Sequence, residues 1–201
     1  MKQYRMYVAE FIGAGTLSLA VLLSVSTELG TLATPILAAL VLGLFVYTIG
    51  GVSGCHINPA VTLGVYARGK IKLAQTVGYI VAQCLGAFAA ILIVSNTVMD
   101  LSGYTMTTPE SMSVFIAEFI GMALFTFGIA SVAFGKVSQV ASGVVIGGSL
   151  LLGITVASLL GSAGVLNPAV ALALGTVSYS YLGAMILGSI AGMHLHGWLC
   201  E

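Results

Sequence analysis

Charge is the scarcest property of this chain. Of 201 side chains, six are Lys or Arg and six are Asp or Glu, against 59% hydrophobic residues and a mean hydropathy of +1.12. Twelve charged groups cannot keep the surface of a soluble domain of this size wet, so composition implies lipid as the solvent. The net charge of zero leaves no basic face for nucleic acid. Cysteine is sparse too. Cys55, Cys84 and Cys200 show no paired spacing, which argues against a disulfide framework or a zinc site, and Cys84 reads as a small apolar helix residue. His194 and His196 near Cys200 form one short tract at a helix end, too little for a metal centre. No nucleophile–base set is visible, so the sequence reads as a non-enzyme without metal or cofactor.

Long apolar runs are what the chain has instead. Crossing a ~30 Å hydrocarbon core takes about 20 residues. Six stretches qualify, at 6–26, 35–54, 73–95, 114–134, 139–160 and 178–199. The first is long, contains Glu10 and has a motif that recurs, which argues against a signal peptide. With six spans, Lys2, Arg5, Arg68, Lys70, Lys72 and Lys136 all fall on one side, and Glu28, Asp100 and Glu110 on the other. The excess of Lys and Arg predicts a multi-pass protein with both termini cytoplasmic. Short tails and small loops point to a prokaryotic cytoplasmic membrane.

The chain also repeats itself. Val8-Ala9-Glu10-Phe11-Ile12-Gly13 returns as Ile116-Ala117-Glu118-Phe119-Ile120-Gly121, at an offset of 108. Asn58-Pro59-Ala60-Val61 returns as Asn167-Pro168-Ala169-Val170, at an offset of 109. Two independent motifs on one spacing imply a duplicated unit of three spans. An odd number of spans per unit makes the halves, about 1–100 and 108–201, inverted repeats. The spacing then slips: Tyr79 to Gly86 pairs with Tyr181 to Gly188 at an offset of 102, so about seven residues are trimmed after the second motif.

Asn is a strong N-cap and Pro suits the first helical position, so each Asn-Pro reads as a helix start. The glycines before it (Gly50, Gly51, Gly54; Gly161, Gly164) read as a turn. Asn58–Tyr66 and Asn167–Gly175 would each reach roughly 13 Å, about half the membrane core. Two such half-helices entering from opposite faces meet near the midplane, with positive ends that disfavour cations. Irregular backbone at that depth must line water or be buried in protein. Glu10 and Glu118, the ionisable groups deep in spans, read as acceptors for the re-entrant loops; the alternative is a proton-carrying role. His56 reads as a packed, hydrogen-bonded pore-lining residue, or else as a pH gate. Small residues four apart (Ala39/Gly43, Gly143/Gly147, Gly188/Gly192) suit close helix crossings.

The stretch Gly51-Val52-Ser53-Gly54-Cys55-His56-Ile57-Asn58-Pro59-Ala60-Val61-Thr62, with the second Asn-Pro-Ala and the doubled Ala-Glu-Phe-Ile-Gly, resembles the aquaporin and aquaglyceroporin (major intrinsic protein) family. The resemblance covers essentially the whole chain. It implies an all-α membrane protein of six transmembrane helices and two re-entrant half-helices, with one pore per subunit, assembled as a homotetramer in the lipid bilayer. It also implies passive permeation of water or small uncharged solutes. The family's filter positions map onto Ala38 (or Ala39), Thr155, Gly164 and Val170. An arginine is usual where Val170 stands and an aromatic residue where Ala38 stands. A filter without either would admit solutes wider than water: glycerol-like polyols, urea, ammonia or neutral metalloid hydroxides. Cys55, the counterpart of Gly164, falls beside the path by the same geometry. An ion-coupled secondary transporter and a non-conducting structural membrane protein are the rival readings.

Overall fold

The computed structural model describes residues 3–26, 33–98, 110–135 and 137–200. Eight α-helices follow one another: α1 Gln3–Ser26, α2 Ala33–Ser53, α3 Pro59–Ala67, α4 Leu73–Thr97, α5 Met112–Ala133, α6 Ser142–Leu159, α7 Pro168–Leu174 and α8 Tyr179–Cys200, with a 3₁₀ turn at Gln139–Ala141 ahead of α6. Six segments are long and apolar enough to cross a membrane: Tyr4–Val25, Ala33–Ser53, Leu73–Thr97, Met112–Ala133, Gln139–Leu159 and Tyr179–Cys200. Each agrees closely with the span expected from sequence.

Burial is inverted relative to a water-soluble bundle. Leu40, Leu44, Leu92 and Val144 face outward, each more than 60% exposed. Glu10, Gln83, Glu118, Asn58 and Asn167 are buried. Lipid suits that outer face, and the buried polar groups must find partners inside.

The packing of the first half is mirrored in the second. Helix α1 packs on α4 and α2, and α5 packs on α8 and α6; half-helix α3 lies on α8, and half-helix α7 on α4. Both long crossings are close because side chains are missing. A Cβ on Gly86 would run into Phe11 O and sit 2.8 Å from Gly15 N; one on Gly188 would sit 2.6 Å from Phe119 O. The Ala39/Gly43 and Gly143/Gly147 pairs meet each other across α2 and α6, where a Cβ on Gly147 would lie 2.7 Å from Ala39 O.

Charge separates along the bundle. The Arg68 guanidinium and the Lys70 ammonium both sit over the Phe134 ring, at 5.6 and 5.2 Å, where α3 and α5 end. At the opposite end Glu110 accepts a hydrogen bond from Tyr179 N–H at the start of α8. Lys2, Glu28, Asp100 and Lys136 lie outside the described residues.

Two details of the breaks differ from the sequence reading. Gly50 and Gly51 are still helical, because α2 runs on to Ser53; the left-handed backbone begins at Gly54 (φ +89°). The half-helices are also unequal, with nine residues in α3 and seven in α7. Gly175 ends α7 early by adopting a left-handed C-cap (φ +69°), with its N–H and that of Thr176 turned back onto the last turn. The slip in spacing between halves is therefore shared among three places: the shorter half-helix, a shorter connection after it, and above all the start of the last span.

Candidate functional site: two half-helices joined at their N-termini

Each half-helix starts as its sequence dictates. Asn58 is in extended backbone, Pro59 follows at the first helical position, and Asn58 Oδ1 accepts from Ala60 N–H (2.9 Å) and Val61 N–H (3.3 Å). Asn167 does the same ahead of Pro168, accepting from Ala169 N–H at 2.9 Å. An N-cap of this kind stabilises a helix by about 1 kcal/mol. The cap uses the oxygen and leaves the amide nitrogen for another task. Asn58 Nδ2 donates to Leu166 O at 2.8 Å, and Asn167 Nδ2 donates to Ile57 O at 3.0 Å. The two asparagines thus tie the breaks together reciprocally, each reaching the carbonyl just before the other.

The loops preceding them hold strained backbone. Cys55 (φ +52°), Ile57 (φ +39°) and Leu166 (φ +51°) are non-glycine residues in the left-handed region, while Gly164 (φ +65°) takes the position equivalent to Cys55. Such conformations cost about 1–3 kcal/mol each and persist only where surroundings impose them. The buried acids do the imposing. Glu10 accepts from Ser53 Oγ (2.6 Å), His56 N–H (2.9 Å), Ile57 N–H (2.6 Å) and Gln83 Nε2 (2.7 Å). Glu118 accepts from Ser162 Oγ and from Val165 and Leu166 N–H, both at 2.9 Å. Tyr79 adds a bond from its hydroxyl to Ser53 O at 2.7 Å, and the Tyr181 hydroxyl lies near Ser162 Oγ and Ala163 N–H at 3.5 and 3.4 Å.

A cavity of about 360 Å³ leads to this junction. It opens where α1 ends and α2 begins, beside Val25, Thr34 and Pro35, and reaches both asparagines and His56. Its wall is largely apolar, with Leu17, Val21, Leu42, Phe125, Leu150 and Val165 among the lining side chains.

Of the four residues mapped from sequence as filter positions, Ala38, Gly164 and Val170 line the cavity. Thr155 does not. Its hydroxyl turns back to Leu151 O at 2.7 Å, and Ile154 and Ser158 are the lining residues from that part of α6. One residue along a helix is a rotation of about 100°, enough to exchange a pore-facing side chain for a neighbour. Ala39 lies on the crossing with α6 rather than on the cavity, so position 38 needs no slip. Cys55 is also off the cavity. It is buried in the apolar core, while His56, Ile57 and Asn58 after it line the wall. His194 and His196 diverge: the first bonds Ile190 O through Nδ1–H at 2.9 Å, and the second packs edge-on against Phe127.

Sequence reading missed Ser53 and Ser162, which cap the acids, although their separation equals that of the two asparagines. It also missed Gln83 and Phe125. Gln83 has Met185 as its counterpart, so no repeat marks it.

Comparison with known proteins places this architecture. The family model described as Major intrinsic protein matches residues 1–198. A probable aquaporin of Arabidopsis thaliana is 30% identical over 206 aligned positions, covering 94% of this chain and 74% of the relative. Nodulin-26 of Glycine max is 34% identical over 166, covering 76% of this chain and 60% of the relative. Among solved structures, the aquaglyceroporin from Plasmodium falciparum superposes with a TM-score of 0.74 at 17% identity, covering 97% of this chain and 94% of its own.

Proposed function

The chain belongs to the major intrinsic protein family, and on that premise we propose that it is a passive channel for water and small uncharged solutes whose filter carries no arginine. The observation that carries the reading is the reciprocal bonding of two capped half-helices at the floor of a cavity lined by Ala38, Gly164 and Val170.

The mechanism follows from hydrogen-bond accounting. Each asparagine amide has two hydrogens, of which one is held by the facing loop. The second is free for a permeant at the midpoint. The helix ends behind it carry roughly +0.5 charge each, which opposes cations and protons without hindering neutral molecules. Glu10 and Glu118 are occupied in holding the loops, which favours a channel over an ion-coupled transporter. The filter is formed by Ala38, Gly164, Val170 and, from α6, Ile154 in place of Thr155. With neither guanidinium nor aromatic ring there, it admits glycerol-like polyols, urea, ammonia or neutral metalloid hydroxides as well as water. The halves work as inverted repeats, both termini are cytoplasmic, and four copies form a homotetramer through apolar outer faces such as the α2–α6 groove.

Stopped-flow swelling of proteoliposomes with a panel of neutral osmolytes tests the reading. Wild type is expected to pass glycerol. Val170→Arg introduces a large cation with five donors and is expected to lower the glycerol-to-water permeability ratio about tenfold, equivalent to ~1.4 kcal/mol at the filter. An unchanged ratio in a well-folded variant would refute the open filter. Accumulation of solute against its gradient, driven by protons or sodium, would favour the transporter instead.

A further inference from the structure

His56 is bonded through Nδ1 to Thr62 Oγ1 at 3.2 Å. That hydroxyl has two further contacts, with Gln83 Nε2 at 3.0 Å and with Asn58 O at 3.0 Å. A threonine hydroxyl offers one proton and two acceptor sites. The Gln83 amide is fixed by Glu10, which it meets through the same nitrogen at 2.7 Å, so its contact with Thr62 is a donation into the hydroxyl. The single Thr62 proton then has two claimants. If it turned to His56 Nδ1, two oxygens, Thr62 Oγ1 and Asn58 O, would face each other at 3.0 Å with no proton between them. If it goes to Asn58 O, every contact carries one proton, and Nδ1 must be the N–H that donates to Thr62.

We infer that the Glu10–Gln83–Thr62 relay holds His56 as the Nδ1–H tautomer, leaving Nε2 as a bare hydrogen-bond acceptor on the cavity wall that favours permeants bearing O–H or N–H groups. The ring is part-exposed and lines the cavity, and Tyr79 packs edge-on against it at 5.2 Å, which holds the ring plane. Among the described residues, nothing bonds Nε2. His56 and Asn58 line the same cavity, and the Asn58 amide keeps one N–H that the facing loop does not hold. A hydroxyl or amine in the cavity can therefore donate to His56, and Asn58 offers a donor on the same wall. The second half has no such station: Val165, Ala171 and Met185 stand where the first has His56, Thr62 and Gln83. The tautomer follows from the hydrogen-bond geometry alone, whereas the preference among permeants rests on the channel reading.

Solid-state ¹⁵N NMR of histidine-labelled protein in bilayers reads the tautomer directly, and His56→Asn identifies the signal by its loss. The Nδ1–H pattern is expected, and an Nε2–H pattern overturns the relay. Thr62→Val should release the ring to a mixture of tautomers, while Thr62→Ser should retain Nδ1–H; identical spectra from both variants overturn the role of Thr62. For flux, the isomers 1,3-propanediol and 2-methoxyethanol share one formula but differ in donors. His56→Val is expected to lower the diol-to-ether permeability ratio about three- to tenfold, the worth of one net hydrogen bond, and an unchanged ratio overturns the acceptor role. Wild-type protein that shows the tautomer but passes neither solute overturns the channel reading and leaves the tether standing.

Discussion

The two loops at the junction share one plan and differ in how tightly it is executed. In the first, Glu10 gathers four donors, and a polar chain continues through Gln83 and Thr62 to His56. In the second, Glu118 gathers three, and the equivalent positions are Met185, Ala171 and Val165. The shared part is the tether of backbone N–H groups, which any non-regular segment at membrane depth must have. What has diverged is what faces the cavity: a histidine before the first asparagine, a valine before the second. Stability of the break and chemistry of the path are therefore carried by separable residues.

Removing the acids should give the largest effects. Glu10→Leu leaves two backbone N–H groups, the Ser53 hydroxyl and one of the two Gln83 N–H groups without an acceptor, at about 1–3 kcal/mol for each buried orphan. Glu118→Leu leaves one fewer. Thermal unfolding in detergent should show both variants severely destabilised, Glu10→Leu more so. Equal losses would mean that Gln83 adds nothing. The next contrast is at the left-handed positions. Gly164→Ala forces a Cβ to 2.8 Å from Ile154 O in a backbone that L residues avoid, and should cost about 1–3 kcal/mol. Cys55→Gly relieves the same strain and should fall well below that loss; if it costs as much, thiol packing rather than backbone geometry governs the site. Gln83→Met gives the first half the arrangement of the second, and about 1–2 kcal/mol of destabilisation is expected. No change would make the longer chain irrelevant to stability. The smallest effect should come from a small thiol reagent. Cys55 is 5% exposed and off the cavity, so solute flux should be unaltered; inhibition absent from Cys55→Ser would put its thiol on the path.

Much of this arrangement could be read from residue order. Asn58 and Asn167 announced their half-helices because Asn-Pro has few other uses inside an apolar run, and the doubled Ala-Glu-Phe-Ile-Gly marked the acids. The six spans were legible because lipid demands length. Rotation about a helix axis was not. Helix α6 is apolar or small on every side, SGVVIGGSLLLGITVASL, so no pattern fixes its phase, and Thr155 was chosen where Ile154 faces the cavity. Family geometry puts Cys55 beside the path, but left-handed backbone around it breaks any simple link between position in the loop and side-chain direction. Gln83 acts through tertiary contacts with Glu10 and Thr62, both far away along the chain, and sequence carries no trace of them.

The reciprocal asparagine bonds have a consequence for the order in which the protein is made. They join residues 108 and 110 positions apart, so neither can form until the second half has been synthesised. At about 5–20 residues per second, Asn58 waits on the order of 5–20 seconds for Leu166 to emerge. During that interval the Glu10 tether, none of whose partners lies beyond Gln83, is the means of keeping the first loop in shape. The richer bonding of the first loop thus falls on the half that must hold its form alone, and the second loop folds against a template already set.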